Sequence, residues 1–130
     1  MPTPRRAARA PQECDELLAE FLSAGDVDAI LELYEKGACF LTRDRQQHVG
    51  HDAIRSAFAD VAAGRPRLRC NILRTLRNGD SLAVLYNDWT MTITPPGGKP
   101  IEMLGKAVEV VCRQSDGTWR FAVDDPWARM

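Results

Sequence analysis

Apolar residues in the first half of the chain recur at the spacing of an α-helix. They form three stripes, at residues 14–22, 27–34 and 54–62, each with apolar positions three and four residues apart. Gly25 and Gly37 lie just beyond the first two stripes, where glycine commonly ends a helix. We therefore predict three helices, and the short junction between the first two predicts that they pack as a hairpin.

After residue 66 the apolar residues alternate with polar ones, which is the period of a strand with one buried face. The first such strand runs to Asn78-Gly79, a dipeptide favoured in tight hairpin turns. Five further strands are predicted at 38–42, 46–49, 81–94, 101–113 and 118–123. Three helices followed by a meander of long strands predict an α+β domain, in which the helices pack on one face of a strongly curved antiparallel sheet.

Charge is unevenly distributed along the 130 residues, which hold 17 basic and 18 acidic side chains. Residues 1–12 carry Arg5, Arg6 and Arg9 and no acid, which leaves 14 basic against 18 acidic side chains in residues 13–130. We predict that residues 1–12 are a disordered basic tail and that residues 13–130 form a single domain. Because the domain lacks the basic excess typical of nucleic-acid and membrane-surface binders, neither partner is expected.

The sequence predicts neither export nor a bound metal. It has no apolar run long enough for a signal peptide or a membrane span, so we expect a cytoplasmic protein. The four cysteines, at positions 14, 39, 70 and 112, are widely spaced and predict reduced, buried thiols. His48 and His51 flank Gly50, so they lack the one-turn helical spacing of a zinc site. No metal and no cofactor is therefore expected.

Four strings together span residues 24–127 and carry a family resemblance: AGDVDAILELYEKGACF, VGHDAIRSAF, NGDSLAVLYNDWTMTI and DGTWRFAVDDPW. They resemble the nuclear transport factor two-like superfamily, the cystatin-like, cone-shaped α+β barrel of ketosteroid isomerases and SnoaL-type polyketide cyclases. The last two strings resemble small stand-alone SnoaL-like proteins. The resemblance implies a curved sheet around a helix-lined pocket that is open at one end, and a homodimer formed through the outer face of the sheet.

The catalytic residues of ketosteroid isomerases do not carry over to this sequence. Counting without gaps from Gly25, the position of their carboxylate base falls on Thr42, and the position of their tyrosine donor falls on Leu18. Neither side chain can perform the corresponding step, which needs a carboxylate and a hydrogen-bond donor. Asp44 could replace the base if the hairpin were shifted, although an acid between two arginines is typical of a solvated turn.

Strand parity selects candidate residues near the end of the last strand. Trp119, Phe121 and Val123 share a face that should point towards the helices, and Asp125 falls on the same face. We therefore predict Trp119 as a ligand contact and Asp125 as a catalytic carboxylate. The alternative is that Asp124 and Asp125 only bind backbone donors in the Asp-Pro turn.

Two further strands hold polar or aromatic candidates on apolar faces. Asn87 and Trp89 are predicted as ligand contacts, although a buried asparagine more often bonds to neighbouring backbone and a tryptophan more often belongs to the core;. Glu109 interrupts an apolar run. Facing inwards, it would have a raised pKa and could shuttle protons; facing outwards, it would form a salt bridge, for example with Arg120. The alternation of residues along the strand does not decide between these two orientations of Glu109. Tyr34 is predicted as a core residue with its hydroxyl at the pocket rim.

Three functions are consistent with these patterns. The first is a dimeric SnoaL-like domain that binds a small apolar molecule, with its chemistry unassigned. The second is a proton-transfer enzyme, an isomerase, cyclase or dehydratase acting on a small apolar carbonyl compound, with Glu109 or Asp125 as general base. The third is a non-catalytic association module whose sheet face binds a partner chain.

Overall fold

A computed structural model describes residues 6–130 and contains three helices and six strands within that range. The helices are α1 (Glu13–Ala24), α2 (Val27–Glu32) and α3 (His51–Ala63). Helix α1 ends at Gly25, whose φ of 69° is left-handed and favours glycine;. The side chain of Asp26 then accepts a hydrogen bond from the Ala29 amide at 3.1 Å and so caps α2;.

The six strands form one mixed sheet in the order β2-β1-β6-β5-β4-β3. Their bounds are β1 Tyr34–Leu41, β2 Gln47–Val49, β3 Arg67–Asn78, β4 Leu82–Ile93, β5 Ile101–Arg113 and β6 Trp119–Asp125. In the described part of the chain, every neighbouring pair is antiparallel except β1 and β6, which are parallel. The sheet is curved and open at both edges. The predicted α+β class is confirmed, and the parallel pair is the one departure from a purely antiparallel sheet.

The second helix is shorter than predicted, because it ends at Glu32 and not at Gly37. The chain leaves the helix to pair with the last strand: the Phe121 amide donates to the Leu33 carbonyl at 2.7 Å, and Tyr34 begins β1. The apolar residues that follow Leu31 are therefore buried where the chain enters strand β1, and they do not continue the helix. Their spacing fits both a helix and a strand over so short a stretch, so periodicity could not separate the two.

A β-bulge in the last strand reverses the predicted parity. Val110 on β5 pairs with Val123, whereas the next residue, Val111, pairs with Phe121, so Ala122 is an extra residue on β6. An extra residue exchanges the two faces of the strand from that point on. Asp124 is consequently buried at 2% exposure and faces the helices, and the prediction that Asp125 lies on the inner face is wrong.

Part of the predicted disordered tail is packed against the sheet. Ala8 is fully buried and forms a β-bridge with Trp119, whose amide donates to the Ala8 carbonyl at 2.9 Å. The expectation of disorder is therefore wrong for residues 6–12, because Ala8 and Pro11 are buried in the domain. Residues 1–5 lie outside the described residues.

No helix within residues 6–130 is both long enough and apolar enough to cross a membrane. The helices instead cover the inner face of the sheet, and the main hydrophobic core fills the space between the two layers. Seven of the nine aromatic residues are buried: Phe21, Tyr34, Phe40, Phe58, Trp89, Trp119 and Phe121. Four of them form one connected cluster of rings around Tyr34. Two of these rings, Phe40 and Phe58, line the pocket described next.

Candidate functional site

A pocket of about 170 Å³ opens between the helices and the inner face of the sheet. Most of its wall is apolar and aromatic, with contributions from Leu18, Leu22, Phe40, Phe58, Met91 and Met103. No lysine, arginine or histidine among residues 6–130 lines it. Its charged residues are three acids, Asp15, Glu109 and Asp124. An apolar cavity with a few convergent polar groups is the usual form of a small-molecule site.

The three acids come from three different elements. Asp15 lies in the first turn of α1, Glu109 in β5 and Asp124 in β6, and their exposed fractions are 0%, 3% and 2%. Glu109 and Asp124 are direct partners in the antiparallel register, so the bulge at Ala122 is what brings Asp124 beside Glu109. Carboxyl groups are seldom buried this completely, because removing the charged form from water is costly.

Burial raises the pKa of all three carboxyl groups. Desolvation raises the pKa of Asp15 to about 6, although a hydrogen bond with Glu109 counteracts part of the rise. Desolvation likewise raises the pKa of Asp124 to about 7, against a lowering by the Tyr34 hydroxyl. The pKa of Glu109 is raised well above its ordinary value, first by burial and then by the charge of Asp15. The cluster therefore holds protons at pH values at which surface acids are ionised.

Tyr34 and Asn87 hold two of these acids in position. The Tyr34 hydroxyl donates to Asp124 Oδ2 at 2.6 Å, and both groups are buried. The Asn87 amide nitrogen contacts Glu109 Oε2 at 3.5 Å, and its Oδ1 accepts from the Asn71 amide at 3.1 Å. The Asn87 side chain is thus bonded to a neighbouring backbone amide, as one of the two alternatives from the sequence predicted. It also contacts the acid cluster.

Several carboxyl oxygens of the cluster have no donor within the described residues. They are both oxygens of Asp15, Oε1 of Glu109 and Oδ1 of Asp124. A proton on Glu109 would give Asp15 a donor, and this interaction raises the pKa of Glu109 and lowers that of Asp15. Buried polar atoms are nearly always bonded in native proteins, so oxygens without a partner among residues 6–130 are a distinctive feature of this pocket.

Two tryptophans and the C-terminal segment form another part of the pocket wall. Trp89 and Trp127 pack edge to face with ring centroids 5.4 Å apart, and Trp89 Nε1 donates to the Pro126 carbonyl at 2.8 Å. Arg129 fastens the segment to the sheet, because it pairs with Asp88 at 2.6 Å and its amide donates to the Lys106 carbonyl at 3.0 Å. The indole nitrogen of Trp127 is buried and has no partner in the described part of the chain.

The structure places four of the six predicted site residues at or beside the pocket. Asn87, Trp89 and Glu109 line it, and Tyr34 reaches it through Asp124 rather than at the rim. The inward orientation of Glu109 leaves no outward salt bridge with Arg120.

The other two predicted residues lie elsewhere. Asp125 is half-buried outside the pocket lining and forms two bonds of 2.7 and 2.8 Å with the Arg45 guanidinium, because the bulge turns it away from the helices. Trp119 is buried beneath the N-terminal segment, with the Arg77 guanidinium 5.3 Å from its ring centroid, and it does not line this pocket. The prediction that Trp119 lies at the pocket is therefore wrong.

Three pocket residues were missed by the sequence interpretation: Asp15, Asp124 and Trp127. Asp15 carried a usable signal, because it lies three residues before Leu18 and seven before Leu22 and so belongs to the apolar stripe of α1;. Asp124 was placed on the wrong face by the undetected bulge. Trp127 follows the last strand, where no periodicity exists to orient a side chain.

The positions that correspond to ketosteroid isomerase catalytic residues do line the pocket, but they carry Thr42 and Leu18. The Thr42 hydroxyl donates to the Asp44 carboxylate within its own turn. The acids of this pocket thus approach from α1, β5 and β6, and the usual base position is unused.

The two histidines bind backbone. His51 Nε2 lies 2.8 Å from the Tyr34 carbonyl oxygen, and His48 Nδ1 lies 3.3 Å from that of Ala53. No group of three or more histidine, cysteine, aspartate or glutamate residues within 6–130 could hold a metal ion. All four cysteines are free.

The chain was compared with known proteins by sequence and by structure. A sequence profile of the SnoaL-like domain matches residues 15–125, whereas no curated protein matches the chain. A proposed aromatic ring hydroxylase from Novosphingobium aromaticivorans superimposes with a TM-score of 0.80 at 21% identity, covering 99% of this chain and 93% of that one. At these identities the structural likeness shows the fold alone.

Two further solved structures share the fold. A ketosteroid isomerase-like protein from Erwinia carotovora atroseptica has a TM-score of 0.74 at 14% identity, covering 88% of this chain and 89% of its own. A proposed dehydratase of the NTF2-like family from Streptomyces avermitilis has a TM-score of 0.76 at 13% identity, covering 87% of this chain and 89% of its own. Both are similar to this chain along most of its length.

Proposed function

The chain belongs to the SnoaL-like domain family, and on that premise we propose that its pocket binds a small, largely apolar molecule. The size supports a ligand built around one ring: an apolar cavity of roughly 150 Å³ is known to hold benzene, and this pocket has about 170 Å³. Phe40, Phe58, Trp89 and Trp127 provide aromatic contact area for such a ring;.

We further propose that the protein catalyses proton transfer on this molecule. The observation that carries the proposal is the cluster of three buried carboxyl groups in an otherwise apolar pocket. A general base works best with a pKa near the working pH, and the pKa of Asp124 is raised to about 7. Its Oδ1 has no partner among residues 6–130 and is free to accept a proton, so we assign the base to Asp124 in place of Asp125.

Glu109 then supplies the complementary acid. Burial and the charge of Asp15 raise the pKa of Glu109 well above its ordinary value and so favour the neutral acid, which in an apolar site can donate a hydrogen bond to an oxygen that becomes negative during the reaction. Removal of a proton next to a carbonyl by Asp124, with Glu109 hydrogen-bonded to the carbonyl oxygen, is the common first step of isomerase, cyclase and dehydratase reactions on small carbonyl compounds.

The base assignment predicts activity towards 5-nitrobenzisoxazole, a small aromatic compound that opens when a base removes its ring proton. We expect kcat/KM for the wild type to rise with pH through about pH 7, as Asp124 ionises, and to fall by about 100-fold in Asp124→Asn. The measurement is the release of the coloured phenolate, followed at pH values from about 5 to 9.

Asp125→Asn is the matched control, because Asp125 is the adjacent acid and lies outside the pocket. It should retain wild-type kcat/KM within about twofold. Equal rates in wild type and Asp124→Asn would contradict the base assignment, and a wild type no faster than free acetate would contradict proton transfer as the function. Neither result would contradict the proposal that the pocket binds a ligand, because binding is measured separately.

We also propose that the protein is a homodimer through the outer face of the sheet. An apolar row crosses four strands on that face, because Leu76, Val84, Val110 and Val123 are successive partners in the strand register. Leu76 is 43% and Val123 36% exposed in the single chain. A self-complementary contact about a twofold axis would bury the row against its own copy. A separate partner chain on this face is the association-module alternative.

A charge in the centre of the apolar row should disrupt the dimer. We expect the wild type to have twice the mass of the 14.5 kDa chain in size-exclusion chromatography with light scattering, and Val110→Glu to have the mass of one chain, since a buried unpaired carboxylate in each copy disfavours association. Thr92→Glu, on β4 outside the row, is the control and should remain dimeric. A monomeric wild type would contradict the homodimer and leave the face free for a different partner.

A further inference from the structure

The indole N–H of Trp127 is a buried hydrogen-bond donor without a partner. Trp127 lines the pocket, and its Nε1 contacts neither solvent nor any acceptor within residues 6–130. The neighbouring Trp89 differs, because its Nε1 already donates to the Pro126 carbonyl. Buried tryptophan nitrogens usually find a partner, and leaving a buried donor unpaired is unfavourable. A ligand that brings an acceptor would remove that cost.

The C-terminal segment makes it unfavourable for Trp127 to turn away and satisfy its nitrogen in solvent. Pro126, immediately before it, accepts from Trp89, and Arg129, two residues after it, is bound to Asp88, to the Lys106 carbonyl and to the Ala107 carbonyl. The Arg129 guanidinium also lies 5.1 Å from the centroid of the Tyr86 ring. These contacts hold the Trp127 ring beside Trp89 in the pocket wall.

The other polar groups of the pocket offer hydrogen-bond acceptors, whereas the Trp127 indole N–H is a donor. Asp15, Glu109 and Asp124 offer carboxyl oxygens that lack donors among residues 6–130, and no cationic side chain in that range lines the pocket. An anionic ligand would therefore have to leave water for an apolar pocket that offers it no cation, which is strongly unfavourable in a site of low dielectric constant. A hydroxyl group, in contrast, can donate to a carboxyl oxygen.

We propose that the ligand is a neutral ring compound with two oxygens, a carbonyl-type acceptor bound by the Trp127 indole N–H and a hydroxyl bound by the acid cluster. This assignment rests on the proposed function, because it takes the same pocket as the binding site. It deepens that function by naming the ligand class: neutral hydroxy-carbonyl ring compounds bind, and ring carboxylates are rejected.

The test uses 4-hydroxyacetophenone, which carries both oxygens on one ring, at about pH 6, where its phenol is un-ionised. Phenol lacks the carbonyl, and 4-hydroxybenzoate carries an anion in its place. We expect 4-hydroxyacetophenone to bind the wild type about tenfold more tightly than phenol, the gain of one hydrogen bond to a buried donor, and 4-hydroxybenzoate to bind at least tenfold more weakly than phenol. Isothermal titration calorimetry gives the three dissociation constants.

Trp127→Phe keeps the aromatic wall and removes only the donor. It should weaken binding of 4-hydroxyacetophenone about tenfold and leave phenol binding unchanged within about twofold. A second readout needs no variant, because the three tryptophans give separate indole signals in a ¹⁵N-correlation spectrum: 4-hydroxyacetophenone should move the Trp127 N–H proton downfield, whereas the signal of Trp119, outside the pocket, should not move.

The outcomes separate this inference from the function on which it rests. If Trp127→Phe weakened phenol and 4-hydroxyacetophenone equally, the indole would only be packing and the donor role would be wrong. If 4-hydroxybenzoate bound as tightly as 4-hydroxyacetophenone, the selection for neutral ligands would be wrong. In both cases the pocket would remain a ligand site. If none of the three compounds bound, the ring-sized pocket of the proposed function would itself be contradicted.

Discussion

Replacing Gly105 with alanine is expected to lower the free energy of unfolding by about 2–3 kcal/mol, the upper part of the range found when a well-packed core is overfilled. Gly105 is buried directly opposite Trp89 in the β4–β5 register. A Cβ atom there would lie 2.4 Å from Cζ2 and 2.5 Å from Cε2 of the Trp89 ring, far inside van der Waals contact. The rigid indole cannot bend away and would have to move as a whole.

The displacement would also reach the pocket. Trp89 lines it, packs against Trp127 and donates to the Pro126 carbonyl, so a shifted ring would break that bond and change the aromatic wall. Urea denaturation followed by circular dichroism measures the stability, and calorimetry with 4-hydroxyacetophenone measures the pocket. We expect both to be impaired in Gly105→Ala.

Two variants separate this clash from a general effect of losing a strand glycine. Gly37 also lies in a strand, but nothing comes within 4 Å of its added Cβ, so Gly37→Ala should be neutral or stabilising by up to about 1 kcal/mol. Trp89→Phe in the Gly105→Ala background makes room for the methyl group and should cost less than the sum of the two single changes. Additive effects would show that the methyl group added in Gly105→Ala does not clash with the Trp89 ring.

The elements of the fold were predictable because each depends on local information. The stripe of α1, the cap at Asp26 and the Asn78-Gly79 turn lie within a few residues of the structure they specify, and all appear where the sequence placed them. The partner of β1 was not predictable in the same way. Besides β2, it pairs with β6, 84 to 87 residues later, and the alternation of a strand contains nothing about which other strand lies beside it.

The acid cluster shows where parity arguments fail. One extra residue at Ala122 reverses the faces of β6, so the sequence pointed to Asp125 where the fold uses Asp124. Glu109 could not be oriented from its own strand, because β5 is apolar on both faces over that stretch. Its orientation follows only from the register with β4, in which it lies opposite the buried Leu85.

The same cluster determines how stability depends on pH. An acid whose pKa is higher in the folded chain than in the unfolded chain binds its proton more tightly when folded. Its contribution is complete below the unfolded pKa and is lost as the pH rises through the folded value. For Asp124 the window runs from about pH 4, the unfolded value, to about 7, the folded value. Asp15 acts in the same direction up to about pH 6, and the raised pKa of Glu109 adds a loss of the same sign.

We therefore expect the free energy of unfolding to fall from about pH 5 to about pH 8, with Asp124 alone contributing a loss of about 3 kcal/mol over this range;. In Asp124→Asn the side chain can still accept from the Tyr34 hydroxyl but has no proton to lose. The variant should match the wild type within about 1 kcal/mol at pH 5 and exceed it by about 2–4 kcal/mol at pH 8. Urea denaturation across this range measures both curves, with Asp125→Asn as the control that should keep the wild-type slope. Parallel curves for wild type and Asp124→Asn would mean that Asp124 is ionised at both ends of the range, and an ionised Asp124 could not be a base that titrates near pH 7.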